Sequence, residues 1–230
     1  MKFTTAGDYT IRKGDALPAK SIPSIIIDGT LQAPFQFLTG RGEVDQTSAH
    51  LRIYKDLGKI ELYLNDLDPY TTHKITGSLK RDTVLQSFAI NTEKRWAVKD
   101  FLKFIKTMRF YFSNKEEHAA ILKSLQTWSG KIERVFKEHN DNTGNSLFQL
   151  ETKVREIELI SSFSLELPIF QGYPKHRFKV EIGLDPKSTA VDIYLISDEL
   201  IELEIGVRET TIANELKNFD DKTFSKVVVS

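Results

Sequence analysis

The chain has 230 residues, 40% of them hydrophobic, and no cysteine, so disulfides, thiolate nucleophiles and Cys-ligated zinc are excluded. Lys plus Arg and Asp plus Glu number 32 each, and this zero net charge argues against indiscriminate binding to nucleic acid. No run of about 18 apolar residues marks a membrane helix, and the opening MKFTTAGDYTIRKGD lacks the apolar stretch of a signal peptide, so the expected location is cytoplasmic, with no membrane partner.

The neutral total hides a segregation along the chain. Residues 94–137 carry 11 basic against 4 acidic side chains, whereas residues 185–221 carry 3 basic against 10 acidic ones. Either the two segments neutralise one another, within the molecule or between subunits, or the basic segment faces an anionic partner.

In chain order, residues 1–23 read as an extended N-terminal arm that ends at Pro23, and residues 24–230 are expected to form a single α+β domain, with residues 139–146 the candidate internal joint. SIIIDGT reads as a first strand. Pro34 suits the first turn of a short helix over residues 33–38, because its missing amide hydrogen would lack a partner there. Gly40-Arg41-Gly42 is no phosphate loop, since the GKS/T ending is absent. Period-two alternation in HLRIYK, KIELYLN, HKITGSLK and TVLQSFAIN predicts a four-stranded antiparallel meander over residues 50–91. The turn NDLDPY brings Asp66 and Asp68 near His73. Two carboxylates and an imidazole can hold a divalent cation, but Asp and Pro are ordinary turn formers, and no metal or other cofactor is expected.

Residues 92–139 read as two consecutive helices holding both tryptophans, Trp96 and Trp128. In the first, Ala97, Phe101, Phe104, Ile105, Met108 and Phe112 define an apolar face. On the opposite side Arg95, Lys99, Lys103, Lys106 and Arg109 recur at steps of three and four, a positive stripe that makes them the candidate residues for contact with nucleic acid or another anionic partner. Aromatic side chains interleaved with cations are also the pattern of single-strand binders. At helical spacing such aromatics are mostly core, with Phe110 and Tyr111 the candidates for exposure. SNKE at residues 113–116 predicts a capping box for the second helix, which should stop in HNDNTGN. Beyond it LETKVREIELI, SSFSLELPIF, HRFKVEIGLD and AVDIYLIS predict a second antiparallel meander, with turns at Gly172-Tyr173-Pro174 and Asp185-Pro186, then a helix over residues 198–219 capped by Ser197 and a short final strand in KVVVS. The expected architecture is thus α+β: antiparallel meanders flanking a central helical hairpin and sharing one core.

SFAIN before a Trp-bearing helix, then KIERVFKEHND, then LELPIFQG with HRFKVEIGL, resemble a YfdQ-like family of phage and prophage proteins of unknown function, over residues 45–205. The resemblance implies a phage origin and supplies no catalytic or ligand-binding residues. The helical hairpin here is longer and more basic than that family's. The chain shows no HExxH, GxSxG or Walker A motif, so catalysis is not expected. Two expectations remain: a protein-binding or self-assembling module that interferes with a host factor, with homo-oligomerisation as one form of it, or a nucleic-acid binder in phage DNA metabolism.

Overall fold

The computed structural model describes residues 24–41, 48–65, 73–141, 158–187, 190–219 and 225–229. They build an α+β protein with two sheets. The N-terminal arm, the turn containing Asp66 and Asp68, and most of HNDNTGN lie outside the described residues.

The first sheet has the order β1-β4-β3-β2-β9. Strands β2 (Ala49–Tyr54), β3 (Lys59–Leu64) and β4 (His73–Ser78) are the expected meander, antiparallel throughout. Strand β1 (Ile26–Thr30) lies parallel to β4 on one edge, and the final strand β9 (Ser225–Val229) lies parallel to β2 on the other. Alternation sends Leu51, Ile53, Ile60, Leu62, Leu64 and Ile75 to one buried face. Helix α1 (Ala33–Arg41) runs three residues past its expected end and joins that cluster through Leu38. Its approach depends on Gly77, where a β-carbon would stand 2.7 Å from both the Leu31 carbonyl and Pro34 Cδ.

The second sheet has the order β5-β8-β7-β6 and is antiparallel throughout. It joins β5 (Trp96–Ala97), β6 (Ser162–Pro168), β7 (Lys175–Pro186) and β8 (Val191–Ile196). Phe163, Leu165, Phe178, Val180, Ile193 and Leu195 form its inner face, which packs against Leu85, Phe88, Phe101, Ile105, Leu125 and Trp128 of the helices. The apolar interior is therefore two clusters, and Leu79 packs against both.

Several expectations change. TVLQSFAIN is no fourth strand. Residues Thr83–Phe88 form helix α2, because Asp82 accepts hydrogen bonds from the amides of Val84 and Leu85 and Leu85 and Phe88 are buried three residues apart. The run at residues 150–160 lies largely outside the described residues, and residues 158–160 belong to no strand. Pro186 stays in β7, paired with Val191, so that turn comes later, closed by the Lys187 amide donating to the Ala190 carbonyl. The first helix of the hairpin, α3 (Val98–Thr107), is shorter than expected and ends in a 3-10 turn at Arg109–Tyr111. The cap of α4 (Lys115–Asp141) is Asn114, whose side chain accepts the Glu117 amide. Ser113 instead donates to the Glu117 carboxylate, which also accepts the Ser164 amide and ties the helix start to β6.

The last helix, α5 (Asp198–Lys217), is capped by Ser197 as expected. It links the halves: Leu200 lies in the second cluster, and Ile212 and the following Phe219 in the first. Between them Glu204 Oε1 stands 2.6 Å from Arg81 Nε, an ion pair whose geometry is not that of a hydrogen bond.

Candidate functional site

The positive stripe is split by the fold. Lys99, Lys103 and Lys106 share one exposed side of α3, opposite the buried Phe101 and Ile105. Arg95 precedes the helix and leans onto the second sheet, 3.7 Å from Asp185 and with its guanidinium 4.4 Å from the centre of the Tyr194 ring. That ring lies over Gly183, where a β-carbon would be 2.3 Å away. Arg109 sits in the 3-10 turn. Two of the helical lysines meet acids: Lys99 reaches Glu133 of α4 at 3.0 Å and Lys103 reaches Asp100 at 3.7 Å. Pairs this exposed contribute under about 1 kcal/mol. Lys106 and Arg109 form no ion pair among the described residues.

Of the six candidate rings Trp96, Phe101, Phe104, Phe110, Phe112 and Trp128, Phe101, Phe112 and Trp128 are buried, and Trp96 and Phe104 stack partly buried at 4.7 Å. Phe110 alone among them stands out, 87% exposed, while Tyr111 packs against the second cluster. The corner that presents Phe110 is fixed from below. Phe112 bridges to Leu165, and His118 Nε2 lies 3.0 Å from the Ile105 carbonyl. Lys106, Arg109 and Phe110 are all exposed where α3 gives way to the 3-10 turn, a basic corner with an aromatic tip.

A second polar assembly lies on the outer face of the first sheet. Glu61 is 2% exposed, with Lys74 at 2.8 Å, Lys59 at 3.0 Å and the Tyr63 hydroxyl donating at 3.0 Å. Burial works to raise its carboxyl, but these three partners overcome that and hold it at about 2. His50 stacks on Tyr63 at 4.9 Å, and Arg52 lies over the same ring. A carboxylate so fully engaged is a structural anchor. The third member of the suspected cation set, His73, is buried, and its Nδ1 accepts the Ile25 amide at 3.0 Å. Among the described residues no group of His, Asp and Glu could hold a metal ion, and no helix is long and apolar enough to cross a membrane.

The third feature, with no signal in the sequence motifs, is a cleft of about 890 Å³ along α5. Glu202, Gly206, Thr210 and Asn214 recur every four residues down one wall, and Tyr173, Pro174, His176 and Arg177 form the other. Glu215 lies at one end, 7% exposed, and its Oε1 has no hydrogen-bond partner. Burial pushes its carboxyl above the usual range, with the Asn218 side chain pulling more weakly the other way. Tyr173 is raised too, by burial and then by the charge of Glu215, so the two groups feel each other.

Compared with known proteins, the chain matches no family model, no curated protein and no solved structure.

Proposed function

We propose that the protein works by binding and not by catalysis, and that the corner formed by Lys106, Arg109 and Phe110 is its contact surface for an acidic protein partner. The observation that carries this reading is the 87% exposure of Phe110 beside two cations that lack an acidic neighbour among the described residues. An aromatic tip flanked by Arg and Lys is the composition of an interface hot spot, where one inserted ring and a few charges supply most of the affinity. A single-strand binder needs several stacking rings along a groove, and five of the six candidate rings are packed instead into the second cluster.

A second copy of the chain offers one acidic surface, since α5 carries six acids against two basic residues. The resemblance of residues 45–205 to phage and prophage proteins supports a host protein as the other partner, with the complex blocking a host defence factor. Nucleic acid is the second reading, favoured by the shared face of Lys99, Lys103 and Lys106.

Solution mass and single-stranded oligonucleotide binding, both at about 50 and about 200 mM salt, separate these readings. The wild type is compared with a Lys106→Glu, Arg109→Glu, Phe110→Ala variant. The proposal expects weak oligonucleotide binding that the variant changes little. Tight, salt-sensitive oligonucleotide binding abolished in the variant would replace the protein partner with nucleic acid.

A further inference from the structure

The cleft along α5 is an elongated site with opposite charges at separate points. At one end Glu199 accepts the Lys179 amide at 2.7 Å, and at the other Tyr173 lies within the field of Glu215. The helix and the start of β7 thus run antiparallel along the cleft. The helix from Glu199 to Glu215 spans about 24 Å, and opposite it β7 begins at Lys175, with Tyr173 and Pro174 in the turn before the strand. Arg177 is four residues from Tyr173, so the chain between them spans at most about 14 Å.

Glu215 is the unusual group. A buried carboxylate oxygen without a donor is costly unless something supplies one. No described side chain or amide does. Arg177 and His176 line the same space as Glu199, Glu202 and Glu215, so an occupant that carries both signs of charge fits it better than a lone cation. Arg177 is exposed, forms no ion pair among the described residues, and lies beyond ion-pair distance of its cross-strand neighbour Glu166. Between the charges the surface is Pro174 on one side with Leu203 and Val207 on the other, and Gly206 leaves the helix wall bare because a β-carbon there would meet nothing within 4 Å.

We propose that the cleft binds a short free peptide in extended form, with its ammonium on Glu215 and its carboxylate on Arg177. Charges on the order of 10 Å apart correspond to about three residues at 3.3–3.6 Å each, and the cleft volume is that of a small-ligand site. The requirement for both charges at this spacing points to a free peptide rather than a protein terminus, which offers only one. This site is independent of the Phe110 corner.

Titration calorimetry at low salt with trialanine, N-acetyl-trialanine and trialanine amide tests it, using wild type, Glu215→Gln and Arg177→Gln. Acetylation and Glu215→Gln should each weaken binding at least tenfold, and Glu215→Gln should have no further effect on the acetylated peptide. Amidation and Arg177→Gln should pair in the same way. Glu215→Gln should melt at or above the wild-type temperature, which separates lost binding from lost folding; should it not fold, the acetylated peptide reads the same contact on the wild type. No binding of trialanine at about 10 mM, or binding unchanged by acetylation and by Arg177→Gln, would overturn the proposal.

Discussion

Glu61 and Phe110 show how differently single side chains can matter in this molecule. Glu61 is held at about 2, below its ordinary value of 4.5, by Lys74, Lys59 and Tyr63. A folded-state value below the unfolded one means its contribution is complete above about pH 4.5 and disappears as pH falls towards 2. Glu61→Gln should cost about 2 kcal/mol at pH 7, given partners that are themselves partly exposed. Urea unfolding at pH 7 and pH 3 checks this, since the difference between variant and wild type must shrink at the lower pH. Phe110 is the reverse. It contributes little to the fold, so Phe110→Ala should shift stability by less than about 0.5 kcal/mol while weakening partner binding tenfold or more. Calorimetric melting checks the first half, and an unfolding transition moved by several degrees would show that the ring packs somewhere after all. The exposure of Phe110 was legible in the sequence as a ring next to cations outside the apolar period. The burial of Glu61 was not, because Lys74 sits on the neighbouring strand β4 and only register brings it to the carboxylate that Lys59 and Tyr63 flank on β3.

Elements formed where local pattern and packing agreed. The meander β2-β3-β4 and the α3–α4 hairpin follow from alternation and helical spacing, and Ser197 caps α5 as its position suggested. Helix α2 went the other way. Its apolar residues fit period two and period three equally, and Asp82 decided the matter by capping the first turn. The parallel pairings of β1 and β9 had no local signal at all, since each partner lies far away in sequence. The α5 cleft was equally hidden, because Glu215 and Tyr173 come from separate elements. Contacts between elements also give a sharp test at Gly77. Gly77→Ala puts a methyl group 2.7 Å from a backbone carbonyl and from Pro34 of α1, and should destabilise by about 1–3 kcal/mol. Equilibrium unfolding measures it, and a neutral result would mean that α1 does not press on β4 as described.

At the scale of the whole molecule, α5 spans the two clusters and pairs with Arg81 through its Glu204, and Leu79 packs against both. Both tryptophans lie in or against the second cluster, whereas Ile212 lies in the first. If the helix makes the halves cooperative, Ile212→Ala should cost about 2–4 kcal/mol and shift the Trp fluorescence transition as far as the far-UV circular dichroism transition. Fluorescence left in place while dichroism shifts would mean the halves unfold separately. The charge segregation is likewise a whole-molecule property: α5 packs on β7, and Arg95 with Asp185 is the one ion pair between the basic stripe and the acidic segment among the described residues. That leaves the Phe110 corner positive and available. Photocrosslinking from a benzoylphenylalanine placed at position 110 in cells, with the exposed Leu57 as a control position, tests this most directly. The account predicts a discrete protein adduct from position 110, absent from position 57 and lost when Lys106 and Arg109 are changed to Glu. No adduct, or the same adducts from both positions, would contradict it.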